Sequence, residues 1–200
     1  MRALLATLCF VVSVNAAPDL VLRNGLIYDG TGRAPFKGDV AIQNGRIIAV
    51  GNVARAGSPR KIIDVNGLAI APGFIDVHTH AENIVYHPKA KNFLRMGVTT
   101  LVLGNCGSSK LNLGEFYTKL EKNGFSPNIA SLIGHGTVRG QVMGGSLRRP
   151  PNATELAAMQ KHIAKAMEDG ALGMSTGLIY LPGVFARTDE LVALSKTVAA

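Results

Sequence analysis

Two histidines, His78 and His80, stand one residue apart at the end of an apolar stretch that indicates a buried strand over residues 68–78. Side chains on a strand alternate between its two faces, so both imidazoles point the same way and can bind one cation. Asp76 would lie on the same face of the strand and is a candidate hydrogen-bond partner that would orient a histidine ligand. A lone histidine is usually structural, but this pair at a strand end predicts a metal site.

Cys106 is a third candidate ligand. It comes just after a predicted strand over residues 98–103, about one strand–helix unit beyond His78, so both residues can face one pocket. Thiolate and imidazole ligands together favour zinc. The alternative is that Cys106 is a small buried hydrophobic residue, a role that suits cysteine.

His135 is a candidate substrate-binding residue. It lies between Gly134 and Gly136, just after a predicted strand over residues 128–133. Flanking glycines let a backbone approach a ligand closely, which fits a substrate contact or a role beside the metal ligands. The alternative, a histidine that satisfies loop carbonyls, stays open. His87 and His162 carry no such context.

The elements before residue 67 indicate antiparallel β-structure. Asn-Gly follows an apolar run three times, at residues 24–25, 44–45 and 66–67. Asn-Gly between apolar runs is a strong hairpin signal, because both turn residues must adopt positive φ. These residues are expected to form a small sheet.

Beyond residue 67 strands alternate with helices. Each of four predicted strands is followed by a predicted helix. The clearest helix runs from Asn152 as N-cap, with Glu155 at N3, to Gly170. Repeated strand–helix units imply a parallel sheet, and barrels of this kind place their chemistry at the carboxyl ends of the strands. The predicted elements are strands 68–78, 98–103, 128–133 and 171–174 and helices within 84–96, within 114–122, from 152 to 170 and from 188 onward.

The chain is therefore expected to be α/β. It comprises a small antiparallel β-sandwich segment over residues 17–66 and the first half of a metal-dependent (β/α)₈ barrel over residues 67–200. Such barrels typically take about 250 residues, so the sequence is expected to be truncated. Half a barrel cannot close, and these residues alone are expected to be inactive.

Residues 1–16 carry the pattern of a signal peptide. Arg2 supplies a positive start, an apolar segment follows, and small residues precede Ala17. Export to the periplasm or the medium is expected; a buried N-terminal strand or an uncleaved anchor is the alternative. The mature chain would keep only Cys106 and therefore no internal disulfide.

Composition excludes some partners. The formal charge is +8, but the basic residues are scattered, and aromatic residues make up only 6% and do not alternate with them. The sequence therefore predicts no nucleic-acid interface. After removal of the signal peptide, no segment approaches the roughly 20 apolar residues of a transmembrane span.

Together the motifs in residues 72–80, 104–107, 134–139 and 173–180 carry a resemblance. The first resembles the amidohydrolase superfamily, and the others are similar to its N-acyl-D-amino-acid deacylases, or D-aminoacylases, over nearly all of residues 19–200. The resemblance implies a β-sandwich with a (β/α)₈ barrel, with His78, His80 and Cys106 as zinc ligands. Tyr180 and His135 are then the expected substrate-binding residues.

The resemblance also implies the reaction. Zinc would assist water attack on the amide of a small N-acyl-D-amino acid, giving a carboxylate and a free D-amino acid. Two further histidine ligands and an aspartate acid/base are expected beyond Ala200, so no catalytic proton-transfer residue is identified here. Whether one zinc ion or two are bound is left open, as is the oligomeric state.

Two other functions are considered. Cyclic amidohydrolases, such as hydantoinases and dihydroorotases, typically use a carboxylated lysine at the end of strand four, and residues 171–177 contain no lysine. A non-catalytic zinc-stabilised protein is the second alternative, and the downstream aspartate would distinguish it from an enzyme.

Overall fold

We describe a computed structural model of the chain, which covers residues 17–144 and 148–200. The predicted signal peptide lies outside the described residues. The described residues divide into two compact units, one that ends at Pro72 and one that runs from Gly73 to Ala200. Within the described ranges, every helix is too short or too polar to cross a bilayer.

The first unit contains one five-stranded sheet whose buried residues include Val21, Ile27, Val40 and Ala41. The strands are β1 (Leu20–Ile27), β2 (Phe36–Gln43), β3 (Arg46–Gly51), β4 (Ile62–Asp64) and β5 (Ala69–Ile70). β1 pairs antiparallel with β2, and β2 with β3. β4 and β5 both pair parallel with β1. The prediction of antiparallel strands before residue 67 is thus correct for β1–β3 and wrong for β4, while β5 comes from the start of the strand predicted over residues 68–78.

The three Asn-Gly pairs take three different roles. Asn44 and Gly45 have φ of 50° and 70° and form the predicted hairpin between β2 and β3. Asn24 also has positive φ, but it lies inside β1, where the register with β2 shifts as in a bulge. Asn66 and its glycine turn the chain between β4 and β5, which pair with β1 and not with each other. All three asparagines have positive φ, so the difference in their roles comes from which strands the flanking segments pair with.

The second unit combines parallel strands with helices. β6 (Phe74–Asp76), β7 (Val98–Leu103) and β8 (Asn128–Ser131) form one parallel sheet in chain order. β9 (Ile133–Gly134) pairs parallel with β10 (Met174–Ser175). The helices are α1 (Lys91–Arg95), α2 (Leu113–Asn123), α3 (His135–Met143), α4 (Ala153–Glu168) and α5 (Thr188–Val198).

Local sequence explains the best-predicted helices. Asn112 accepts a hydrogen bond from the Glu115 amide at the start of α2. Asn152 and Glu155 form the predicted capping box of α4, whose Met159 and Ile163 are fully buried. These two helices are confirmed close to their predicted bounds.

Two proline-containing stretches differ from the prediction. The strand expected over residues 68–78 is divided into β5 and β6, because Pro72 has no N–H for a sheet ladder. The helix expected within residues 84–96 is reduced to a 3₁₀ turn, Ile84–Tyr86, and the short α1. Pro88 disfavours helical backbone at His87, which has φ −132° and ψ 53°.

Candidate metal centre

Three potential metal ligands meet in the second unit. The ligand atoms of His78, His80 and Cys106 all lie within 4.8 Å of one another. The Cys106 Sγ is 3.2 Å from the His78 Nε2, and the two imidazole rings are 5.7 Å apart at their centroids in an edge-on arrangement. The structure thus brings together the three residues that the sequence singled out.

This donor set fits zinc. A tetrahedral zinc ion with bonds of about 2.3 Å to sulfur and 2.0 Å to nitrogen separates those ligands by about 3.5 Å, close to the observed 3.2 Å. Both histidines are exposed and Cys106 is half-buried, so within the described part of the chain this group is accessible to solvent.

The histidines reach the centre from a loop. β6 ends at Asp76, so strand alternation does not by itself aim His78 and His80, as the sequence had suggested. The Asp76 Oδ1 accepts a hydrogen bond from the His78 backbone N–H, 3.1 Å away. Asp76 therefore orders the loop backbone, whereas the sequence suggested that it would orient an imidazole.

Cys106 lies at the tip of a tight turn after β7. Its φ is 54°, in the left-handed region that few residues other than glycine adopt. The Ser175 hydroxyl donates to the Gly104 carbonyl and accepts from the Gly107 N–H at 3.0 Å, so it bridges both sides of the turn. The Thr137 N–H adds a hydrogen bond to the Gly107 carbonyl at 3.0 Å. The ligand is thereby held in place by its backbone.

Neighbouring segments approach this turn so closely that only glycine fits. A Cβ on Gly134 would lie 2.5 Å from the Gly107 carbonyl oxygen, and one on Gly177 would collide with the Cys106 carbonyl. These glycines let the start of α3 and the start of the loop after β10 pack directly against the cysteine turn.

A cavity of about 440 Å³ opens beside the metal centre. Tyr180 and His80 both line it, so the structure brings the second predicted substrate residue to the candidate metal site. The remaining wall comes mainly from the Cys106 turn, the start of α3 and the loop after β10. That wall includes Cys106, Ser108, Gly136, Thr137, Leu181 and Pro182.

His135 is placed differently from the expectation. It is the first residue of α3, its side chain is fully buried, and its Nε2 lies 2.8 Å from the Glu190 Oε1. The carboxylate only accepts hydrogen bonds, so the imidazole donates through Nε2. In this position His135 supports the cavity wall from behind and does not line the cavity.

Sequence reasoning missed a buried ion pair next to His135. The guanidinium of Arg139 lies 3.1 Å from the Glu190 Oε2, and both side chains are buried. Glu190 lies in the first turn of α5, where the helix dipole favours an acidic side chain in any case, so its position in the sequence does not indicate a buried partner. The residues next to Arg139, four positions after His135, do not indicate that its side chain is buried.

The network continues toward α4. Arg139 donates to the Arg149 carbonyl at 2.8 Å, and the Arg149 guanidinium forms two hydrogen bonds with the Glu155 carboxylate at 2.6 and 2.7 Å. These bonds, and the one from the Asn152 N–H, lower the pKa of Glu155 from its ordinary 4.5 to about 2.

Comparison with known proteins identifies the family. The amidohydrolase family profile matches residues 61–199. The N-acyl-D-aspartate deacylase of Alcaligenes xylosoxydans xylosoxydans is 35% identical over 88% of this chain and 40% of its own length. The chain belongs to the amidohydrolase family, and within it the chain is similar to enzymes named D-aminoacylase and N-acyl-D-amino-acid deacylase. The resemblance predicted from the motifs is thereby confirmed.

Solved amidohydrolase structures share the fold. The N-acyl-D-glutamate deacylase of Bordetella bronchiseptica, complexed with zinc and a phosphonate inhibitor that mimics the tetrahedral intermediate, superposes with a TM-score of 0.84 at 33% identity. The match covers 92% of this chain and 43% of that one. A D-aminoacylase studied for its binuclear metal centre gives 0.83 at 34% identity, over 90% and 43%. This amidohydrolase chain spans less than half the length of these relatives.

Proposed function

We propose that the complete protein is a zinc-dependent hydrolase that cleaves N-acyl-D-amino acids to a carboxylate and a free D-amino acid. The observation that carries the proposal is the convergence of His78, His80 and Cys106 within 4.8 Å beside a cavity. The names of the similar enzymes, deacylases of D-aspartate and D-glutamate derivatives, supply the substrate class.

The residues of this chain would divide the work. His78, His80 and Cys106 would hold the metal, and Tyr180, which lines the cavity, would contact the substrate. When bound, zinc polarises an amide carbonyl and makes water a stronger nucleophile at neutral pH. Cys106 acts here as a ligand and not as a nucleophile, since a nucleophilic cysteine needs a free general base and its histidine neighbours are committed to the metal.

The remaining groups are expected outside these residues. Two more histidine ligands and an aspartate acid/base would come from a barrel that residues 67–200 begin. The relative with a binuclear centre, described as activated by one metal and attenuated by a second, supports room for two ions.

Export is a separate part of the proposal. The signal-peptide pattern in residues 1–16 supports secretion to the periplasm or beyond, with Ala17 as the first mature residue. N-terminal sequencing of the protein purified from its own cells tests this directly. Recovery of the chain beginning at Met1 would contradict it.

The function is tested by hydrolysis in the complete protein. Matched N-acetyl-D- and N-acetyl-L-amino acids and a hydantoin would be assayed before zinc removal, after it and after zinc is returned. We expect turnover of the D-amides alone, lost with the metal and restored by it. Turnover of the hydantoin would favour a cyclic amidohydrolase, and a zinc-loaded protein that cleaves none of them would contradict the proposal.

A further inference from the structure

We propose that Arg139 is a positioning residue that holds the loop over residues 177–186 against the candidate metal centre. This loop follows β10, carries Tyr180 and forms one wall of the cavity. The inference rests on the proposed function for its kinetic consequence, whereas its structural consequence can be measured without any substrate.

Among the described residues, buried side chains contribute little to holding this loop in place. Ile179, Tyr180 and Leu181 are 83%, 58% and 70% exposed. Most of the backbone hydrogen bonds made by the loop are internal, such as those from the Tyr180 N–H to Gly177 and from the Val184 N–H to Tyr180. A loop with few buried apolar contacts opens easily unless something anchors it.

The Arg139 guanidinium supplies anchors in the second half of the loop. Its Nε donates to the Pro182 carbonyl at 3.3 Å and its Nη2 to the Phe185 carbonyl at 3.5 Å. The same Nη2 donates at 2.8 Å to the Arg149 carbonyl, just before α4. A planar guanidinium can bind several carbonyls in fixed directions, which a lysine ammonium cannot reproduce.

Two buried residues keep this guanidinium in position. Glu190 faces the Arg139 Nη1 through both carboxylate oxygens, at 3.3 and 3.1 Å. His135, one helical turn before Arg139, donates to the same carboxylate. A buried charge must be paired, so the pair favours one orientation of the arginine. In that orientation Nη1 also contacts the Met143 Sδ at 3.0 Å, Nη2 binds the Arg149 carbonyl, and Nε and Nη2 reach the two loop carbonyls.

The helix that carries Arg139 also touches the cysteine turn. At the start of α3 the Thr137 N–H binds the Gly107 carbonyl, and Gly134 packs against the same residue. One short helix therefore contacts the metal-ligand turn at its first residues and the substrate-facing loop through Arg139. Gly177 packs directly against the Cys106 carbonyl at the start of the loop, and this shared support through α3 fixes the later part of the loop relative to the same turn.

The test compares Arg139→Lys with a matched control, Arg187→Lys, in the complete protein. Arg187 is an exposed arginine just beyond the same loop, and its side chain pairs only with the exposed Asp189 among the described contacts. Hydrogen exchange would be followed by mass spectrometry in peptides over residues 177–187, with the α4 peptide 153–168 as internal reference. Bound zinc and KM would be measured on the same samples.

We expect Arg139→Lys to raise exchange in the loop peptide by at least about tenfold while the α4 peptide stays protected, because only local opening becomes easier. KM for an N-acyl-D-amino acid should rise by about tenfold with bound zinc unchanged, since a misplaced contact residue weakens substrate binding. Arg187→Lys should change neither. Equal acceleration in all peptides, or no acceleration, would overturn the proposal.

A second variant covers the case in which Arg139→Lys does not fold. Arg139→Met combined with Glu190→Leu removes both charges together and leaves no unpaired ion in the interior. It should show the same loop-specific exchange. If the loop opens but KM is unchanged, the positioning role is wrong; if wild type cleaves no N-acyl-D-amino acid, the proposed function fails while the exchange result still decides whether Arg139 anchors the loop.

Discussion

The backbone of Cys106, a proposed metal ligand, is held in one conformation. Its left-handed φ of 54° is unfavourable for a residue with a side chain, and hydrogen bonds of Ser175 and Thr137 with Gly104 and Gly107 stabilise the turn. A ligand fixed in this way loses little conformational freedom on binding, so the geometry favours tight metal binding.

Replacing Cys106 should abolish the centre. Loss of a residue that only hydrogen-bonds to a metal ligand already costs about 10- to 100-fold in metal affinity or activity. Because Cys106→Ala removes a ligand itself, it should lower both metal affinity and activity by at least about a hundredfold. Metal analysis and amide hydrolysis in the complete protein measure this. The metal-free variant should melt like metal-free wild type, and a variant that keeps zinc and turnover would remove Cys106 from the ligand set.

The histidine pair should behave differently from the cysteine. His78→Asn with His80→Asn should reduce metal occupancy or turnover without unfolding the protein, because both side chains are exposed. Metal stoichiometry, rate and circular dichroism would be compared with wild type. Unchanged stoichiometry together with an unchanged rate would return both histidines to a structural role.

The sequence predicted the exposed ligands but not the buried support behind them. His78, His80 and Cys106 follow strands, and position along a strand is a local property that the sequence carries. Arg139 and Glu190 lie 51 residues apart, and their pairing depends on how α3 and α5 pack. Local patterns describe neither partner as buried, so His135 was interpreted as a substrate residue.

At the scale of elements, glycine-mediated contacts join the loops around the centre. A Cβ at Gly134 would lie 2.5 Å from the backbone of Gly107, which cannot move without displacing Cys106. Gly140, on the same helix, has only Pro182 near its Cβ position, at 3.9 Å. Substitutions at Gly134 and Gly140 can therefore distinguish a steric requirement for glycine from the general effect of helix propensity.

Alanine at these two glycines should have opposite effects. Gly134→Ala should destabilise the complete protein by about 1–3 kcal/mol, the usual cost of overpacking, and weaken zinc binding. Gly140→Ala should be neutral or stabilising by up to about 1 kcal/mol, because alanine favours helix. Denaturant unfolding and zinc titration measure both; similar effects of the two substitutions would show that the contact with Gly107 is unimportant.

Glu155 should make α4 sensitive to acid. Its folded pKa of about 2 lies below its ordinary 4.5, so the carboxylate stabilises the folded state above pH 4.5 and loses that effect as the pH falls toward 2. Glu155→Gln should therefore lower the melting temperature at about pH 6 and differ progressively less from wild type toward about pH 3.

The control for this prediction is Glu168→Gln, an exposed glutamate of the same helix. Glu168→Gln should change the melting temperature only slightly relative to wild type, at about pH 6 as at about pH 3. A Glu155→Gln difference that stays constant between the two pH values would show that the charge of Glu155 is not linked to folding.

Elements with local capping signals were the most predictable. The capping box of α4 follows directly from Asn152 and Glu155. α5 begins at the predicted Thr188, with acidic side chains and no side-chain cap in its first turn. α3 was missed because its N-cap is Gly134, its first turn contains Gly136 and no side chain caps it. The parallel pairing of β4 was missed because strand direction is set by distant partners.

At the scale of the whole molecule, the second unit exposes apolar side chains around its first strand. Phe74, Ile75, Val77 and Met96 are all more than three-fifths exposed. Patches of this kind mark surfaces that contact other protein. In a complete barrel, further strands and helices would cover such residues.

Residues 17–200 expressed alone should therefore bind a hydrophobic dye such as 8-anilinonaphthalene-1-sulfonate, associate in solution and show no hydrolysis. The complete protein should bind little dye. Fluorescence and light scattering at matched concentrations distinguish the two. A monomeric segment that cleaves an N-acyl-D-amino acid would contradict the expectation that later strands complete the site.

The proposed zinc site is tested most directly by anomalous diffraction at the zinc absorption edge from crystals of the complete protein. We expect a zinc peak about 2.3 Å from the Cys106 Sγ. The peak should lie at bonding distance from at least one of His78 and His80, beside the cavity that Tyr180 lines. A zinc-loaded crystal whose only peak lies away from these three side chains would contradict it.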